Sequence, residues 1–459
     1  MSDVMDALVA GLPGVMVSTG EAAGEDFSHD ECLTVTPTTP AAVVRPRTTD
    51  EVAQVLRVAD QLRIPVTARG SGTGLSGAAT PCADGIVVSF ERMADVVDID
   101  VDNHTAVVQP GVRLDQLDEA TAAHGLSYPV YPGEYSASLG GNIATNAGGM
   151  RAIKYGVTRH QVLGLELVLP GGDVIRTGGK FVKASTGYDL TQLVIGSEGT
   201  LALVTEATLK LYPRLTNQTT VLAPFATLDQ VTRAVPRIVD SGIGPLILEY
   251  IDLLTMSATA SYSGLELGIP ADIKETALAY LVVVLESSHQ DRLDTDVQNL
   301  SVQLSGLGAI DVFVLPATAA KQLIEAREKA FWMAKASGAD DIIDIVVPRA
   351  QITTFMDRVA ALASEYEAWI AGCGHAGDGN VHLGIFCADA ERRARLLSDL
   401  FRTGMGLGGA ISAEHGIGRA KKRFFNELED PTKIALMRRI KKAFDPNGIL
   451  NPDLLFDAS

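Results

Sequence analysis

Cysteine is scarce and never paired in pattern: Cys32, Cys82, Cys373 and Cys387 are the four, and no two stand as C-x-x-C. An iron–sulfur cluster or a zinc ribbon is disfavoured, and free thiols in a reducing compartment are expected. Cationic charge is short as well, with 38 Lys and Arg against 56 Asp and Glu, a net charge of −18 and no long basic run. That balance argues against nucleic acid or an anionic membrane as partner. Long apolar runs are missing; stretches such as Leu278 to Leu285 are far too short to cross a bilayer. Asp3 and Asp6 stand where a signal peptide would carry its basic region. A cytoplasmic location is expected.

The chain has enough apolar residues to fold, 46% against 20% charged. At 459 residues it is too long for one ordinary core, so two or more domains are expected. Pro213 to Asn217 reads as a boundary. It sets off an N-terminal extension (1–36, helical then irregular), a first domain (37–216) of short strands, glycine loops and helices, and a second domain (217–459). In the first, residues 50–63 carry apolar side chains at helical spacing, with Asp50 as N-cap. In the second, the helical stretches Leu228–Ser241, Ala317–Ser337, Arg349–Tyr366 and Ala388–Met405 alternate with strands. Those strands are Leu246–Tyr250, Ala279–Leu285, Ile310–Val314, Trp369–Cys373 and Val381–Phe386. The pattern suggests an α+β sheet covered on one face.

Glycine is abundant, 44 residues, and unevenly placed. Arg69-Gly70-Ser71-Gly72-Thr73-Gly74-Leu75-Ser76-Gly77 follows a strand-like segment and suits backbone N–H groups turned toward one anion. It has neither the Lys-Ser/Thr ending of an NTPase loop nor the helix-opening setting of a Rossmann fingerprint. By itself a glycine turn explains it equally well. A second cluster begins at Pro132-Gly133 and continues through Ser138 to Gly149. A third segment runs from Gly187 to Leu201. The second cluster buries too little to be core and lets a ring and a pyrophosphate approach the backbone, and the third ends in another small-residue turn.

Three of the eight histidines lie in two short segments, Gly374-His375-Ala376-Gly377-Asp378-Gly379-Asn380-Val381-His382 and Ser412-Ala413-Glu414-His415-Gly416. If Ala376 to Gly379 is a turn between two strands, His375 faces Asn380 and His382 shares their side. Glu414 offers a third donor, leaving positions open as in a catalytic metal site. Zinc, manganese or ferrous iron suits these donors, with zinc and manganese favoured. His415 stands ready as a base; a third ligand or a plain loop histidine are its other readings.

The three glycine segments, in this order, resemble the FAD-binding domain of the vanillyl-alcohol oxidase type. The histidine segments and the tail Phe444-Asp445-Pro446 to Asn451-Pro452 resemble the C-terminal domain of FAD-linked oxidases, a family that includes D-lactate and D-2-hydroxyglutarate dehydrogenases and the glycolate oxidase flavin subunit. The resemblance implies an α+β fold: a two-subdomain FAD domain and a C-terminal cap domain with an antiparallel sheet. It implies FAD held by Arg69, Gly70, Ser71, Gly72, Thr73, Gly74, Ser76, Pro132, Gly133, Ser138, Gly140, Gly141, Asn142, Thr145, Asn146, Gly148, Gly149, Glu198 and Gly199, with Asn380 and Asn451 near the flavin or the site. Some relatives tether FAD through a histidine in the first loop; Thr73 stands near that place, so non-covalent FAD is expected. His375, His382 and Glu414 map onto the metal ligands, His415 onto the base. Arg327 maps onto a substrate-carboxylate clamp, though alone it reads as a solvated helix charge.

The expected activity is oxidation of a D-2-hydroxy acid to the 2-oxo acid, by hydride transfer to flavin N5. The bulky stretch Ala330-Phe331-Trp332-Met333 and the Leu383-Gly384 pair favour an apolar or short side chain over a second carboxylate. A flavoprotein acting on another alcohol and a flavin subunit of an electron-transfer complex are the rival readings. The electron acceptor is not legible, and homodimerisation is left open.

Overall fold

The computed structural model describes residues 2–457. Its first sheet joins β1 (Met16–Thr19), β2 (Ala42–Arg45), β3 (Val66–Arg69) and β4 (Ile86–Ser89) in the order β1-β2-β4-β3. The inner strands are parallel and buried along their whole length, as unbroken apolar runs such as Ile86-Val87-Val88 require. β1 lies in the segment expected to be helical then irregular. It is half-exposed and takes its strand form from antiparallel pairing with β2, not from a pattern of its own. The helix expected over 50–63 spans Thr49–Leu62, and its N-cap is Thr48, not Asp50: the Thr48 hydroxyl accepts the Glu51 N–H at 3.2 Å.

A second sheet is antiparallel, in the order β5 (Val96–Asp100), β6 (Thr105–Val108), β10 (Leu203–Lys210), β8 (Val162–Val168) and β9 (Val174–Gly178). A two-stranded ribbon pairs β7 (Leu126–Ser127) with β11 (Tyr212–Pro213).

The third sheet has seven strands. Its strands are β12 (Asn217–Phe225), β13 (Ile247–Asp252), β14 (Ala279–Ser287), β15 (Phe313–Val314), β16 (Asp341–Val346), β17 (Trp369–His375) and β18 (Asn380–Phe386), in the antiparallel order β15-β12-β14-β13-β17-β18-β16. Alternate residues sort to opposite faces. On one face Leu248, Tyr250, Ile343, Ile345, Val381, Leu383 and Ile385 pack under the helices Leu228–Asp240, Gln290–Gly306, Ile352–Glu365 and Ala390–Gly406.

The opposite face is not bare, as a one-sided sheet would be. Leu222, Ile251, Tyr280 and Val282 pack against Met256 and Leu323, from the helices Leu253–Ser263 and Ala317–Glu328. β14 is buried almost throughout because it is apolar on both sides. The single helix expected over 317–337 is two, Ala317–Glu328 and Ala330–Ala336, broken at Lys329 with φ −83° and ψ 8°. The chain's end crosses back to the first sheet, where the Asn451 N–H donates to the Val66 carbonyl at 2.7 Å.

The face division makes a prediction. Leu383 is fully buried on the helix side of β18, so Leu383→Ala should cost about 2–5 kcal/mol. Chemical denaturation should show a lowered midpoint, while binding at the other face is retained in the folded fraction.

Candidate active site

β17 and β18 are joined by the turn 376–379, and their register sets His375 opposite Asn380 and Cys373 opposite His382. Gly379 has φ +91°, and a Cβ there would lie 2.0 Å from the Val347 carbonyl oxygen, so the turn requires glycine. Since Val381 and Leu383 fill the core, His382 must project from the other face. There the two imidazoles meet edge to face, with Nε2 atoms 3.2 Å apart.

Glu414 reaches them from a separate loop, its Oε1 lying 3.2 Å from each Nε2. That loop is organised by Asp344 of β16. One carboxylate oxygen accepts the N–H groups of Ala413, Glu414 and His415 at 2.8, 2.8 and 3.1 Å. Ser412 and the Lys421 ammonium donate to the same carboxylate. Burial alone would raise Asp344, but His415 and Lys421 hold it well below the usual carboxylate range.

Donor atoms of His375, His382 and Glu414 all lie within 4.8 Å of one another. Glu414 Oε2 is buried with no hydrogen-bond partner. Burial opposes charge on His375, yet Glu249 and Glu414 outweigh it and hold this imidazole well above its ordinary value. Burial pulls His382 down. Burial would raise Glu414, but His375 leads the contacts that hold it well below. Two imidazoles with a carboxylate are a fitting donor set for a divalent cation. Glu249 lies behind them, fully buried, with Oε1 2.5 Å from His375 Nδ1. This carboxylate–histidine arrangement leaves Nε2 as the donor. Glu249 Oε2 stands 2.8 Å from Arg327 Nη2 as an ion pair off the line of a hydrogen bond.

His415 is half-buried, its Nδ1 3.3 Å from Asp344 Oδ1. Burial carries it down to about 4 despite Asp344, so it is neutral at physiological pH. Glu414 and His415 border two hollows. One is a groove between the glycine loops, the other a cavity on the sheet face. In the groove, Gly70 and Ser138 clasp: a Cβ at Gly70 would sit 1.8 Å from Ser138 Oγ. A Cβ at Gly141 would meet nothing but that oxygen, at 3.2 Å. The buried Asn142 Nδ2 has no partner. Glycine backbone open to the groove, with an unmet amide donor, fits a cofactor's ring and phosphates.

The model for the C-terminal domain of FAD linked oxidases matches residues 214–454, and the one for an FAD binding domain matches 40–178. The chain belongs to the FAD-linked oxidases. An uncharacterized FAD-linked oxidoreductase of Mycobacterium tuberculosis is 59% identical over 438 residues, 95% of each chain. A D-lactate dehydrogenase of Archaeoglobus fulgidus is 39% identical over 89% of this chain and 90% of its own. The structure of a p-cresol methylhydroxylase with substrate bound superposes with a TM-score of 0.81, covering 98% and 96% of the chains at 17% identity. The fold is therefore that of the vanillyl-alcohol oxidase type.

In this FAD-linked oxidoreductase the groove gathers Gly70, Ser71, Gly72, Thr73, Gly74, Pro132, Ser138, Gly141, Asn142, Thr145, Glu198, Gly199 and Asn451. Arg69 and Gly140 line a smaller hollow alongside. The Arg69 guanidinium is turned away, donating to the His29 carbonyl at 2.5 Å. Gly133, Gly149 and Arg327 line the sheet-face cavity. Asn146 Oδ1 accepts the Arg159 N–H, and a Cβ at Gly148 would lie 2.7 Å from Glu414 Oε2. Ser76 Oγ donates to the His415 and Gly416 carbonyls at 2.8 and 3.0 Å. The Glu198 carboxylate accepts the Ile417 and Gly418 N–H groups, both at 2.9 Å, while burial lifts its pKa to about 7. Asn380, opposite His375, has a buried Oδ1 without a partner.

Glu249 and Asp344 were missed by motif reading. Each is the one acid in the apolar interior of its strand, Ile247-Leu248-Glu249-Tyr250-Ile251 and Ile342-Ile343-Asp344-Ile345, and that isolation was the available signal. Glu249→Gln keeps the shape but weakens the charge behind His375. It should reduce affinity for zinc or manganese about 10–100-fold, measured by titration against a competing chelator.

Proposed function

We propose that this FAD-linked oxidoreductase oxidises a D-2-hydroxy acid to the 2-oxo acid, with FAD held non-covalently and a divalent metal, zinc or manganese, held by His375, His382 and Glu414. The observation that carries this reading is positional. Glu414 and His415 border both the cofactor groove and the sheet-face cavity. Metal donor and base thus stand where a substrate would meet the cofactor. The relative named D-lactate dehydrogenase supports the choice of substrate.

FAD, when bound, supplies the two-electron acceptor. A divalent ion, when bound, supplies Lewis acidity toward the substrate hydroxyl. The remaining work belongs to the chain. Arg327, paired on one side to Glu249 and facing the cavity, receives the substrate carboxylate. His415 accepts the hydroxyl proton; Asp344 orients its ring and stabilises the imidazolium that results. Loop 69–77 carries Thr73 where a tethering histidine would stand, in keeping with non-covalent FAD.

Anaerobic mixing of the holoenzyme with D- and L-2-hydroxy acids should bleach the flavin with D-acids alone, and no bleaching by any would overturn the reading. His415→Asn should slow flavin reduction by about 10²–10⁴ with FAD retained. Chelation should abolish reduction and added zinc or manganese restore it.

A further inference from the structure

The sheet-face cavity is chemically two-ended. Arg327, His375, His382, Glu414 and His415 cluster at one end. The rest of the lining is mostly apolar, including Leu254, Ala258, Phe331, Met333, Ile342 and Phe386, with the Thr255 and Ser337 hydroxyls as its neutral polar groups. Strand geometry orders this change. His382, Gly384 and Phe386 are successive residues on the cavity side of β18, half-buried, between the core residues Leu383 and Ile385. Gly384 therefore lies about 7 Å along the strand from the metal-binding histidine. Its register neighbours are Ile342 and Ala371. A Cβ at Gly384 would rest 3.7 Å from both Ala334 Cβ and the Phe386 ring. A side chain at Gly384 would thus meet Ala334 and Phe386 in ordinary van der Waals contact.

Cationic groups are confined to the reacting end. Among the described lining residues Arg327 is the one guanidinium, and no lysine lines the cavity. Glu328 adds acidity near Pro132 and Gly133. A second carboxylate on the substrate would enter apolar surface without a counter-charge, at a steep cost. A methyl group would leave most of that surface in contact with water.

We infer that the substrate, on the reading proposed above, is a D-2-hydroxy acid with a bulky uncharged side chain, branched aliphatic or aromatic, that lies from His382 toward Gly384 and the Ala334–Phe386 wall. Gly384 and Ala371 set its size. Each methylene buried there should raise kcat/KM on the order of fourfold.

The test uses the holoenzyme with D-lactate, D-2-hydroxy-4-methylpentanoate, D-3-phenyllactate and D-2-hydroxyglutarate. The corresponding 2-oxo acids are titrated in parallel by calorimetry, which reads binding without turnover. At least tenfold preference for a bulky acid over D-lactate, and about a hundredfold over D-2-hydroxyglutarate, is expected in both readouts. Gly384→Val and Ala371→Val, each judged where FAD content is normal, should narrow or reverse the preference for the bulky acids over D-lactate. Equal or better use of D-lactate or D-2-hydroxyglutarate would overturn the inference and leave the hydroxy-acid reading intact. Flavin that no acid reduces would sink both.

Discussion

Asp344 has no exposed surface, yet its carboxylate gathers three consecutive backbone N–H groups, a serine hydroxyl and the Lys421 ammonium. Burying such a charge costs several kcal/mol unless its lone pairs are met, and here five donors meet them. The donors come from a loop with no regular structure of its own, so the bonds that satisfy Asp344 also give residues 412–416 their shape. Glu414 and His415, adjacent in sequence, are thereby sent to different tasks. Glu414 turns to the imidazoles of β17 and β18, and His415 stays beside Asp344. Both side chains thus take their backbone positions in part from that buried acid.

The same loop fastens the two halves of the molecule. Ser76, from the first glycine loop, reaches the His415 and Gly416 carbonyls, and Glu198 receives the next two N–H groups. Gly418 passes so close that a Cβ would stand 1.9 Å from the Ser76 carbonyl oxygen, with φ at +54°. Close backbone approach of this kind is what glycine permits. The contact is short-range and polar, so it fixes distance and orientation together. The groove between the glycine loops and the cavity on the third sheet therefore meet at one place, and the groups able to handle a proton and a cation border both.

Legibility in the sequence followed the range of the interaction. The His375–His382 pair was readable because a glycine turn and a two-residue period are local facts, and the register across β17 and β18 follows from them. The glycine segments were readable as a set because each carries its backbone freedom in its own residues. Thr48 taking the N-cap from Asp50 and the break at Lys329 are choices between neighbours of similar propensity, settled by hydrogen bonding and packing. β1 exists because β2 offers an edge. Glu249 and Asp344 are harder. Each lies in an apolar strand whose alternation is satisfied without it. The partners lie far along the chain: Arg327 and His375 for Glu249, Lys421 and the 413–415 backbone for Asp344.

Those two acids also show why the sheet is more than a scaffold. Glu249 has both oxygens engaged, one with His375 and one with Arg327. A shift in the Arg327 guanidinium therefore alters the charge behind the His375 imidazole, and the reverse holds. Substitutions at Arg327 and His375 should then combine non-additively, because they share a partner that neither can replace. Asp344 and Glu249 project to the same side of the sheet from β16 and β13, on opposite flanks of the β17–β18 hairpin. The hairpin's histidines are thus held between two buried carboxylates, one reaching His375 directly and one through the loop that carries Glu414. The polar cluster on an otherwise apolar sheet is built from a few exceptions to its alternation, each neutralised by partners that only the folded chain brings within reach.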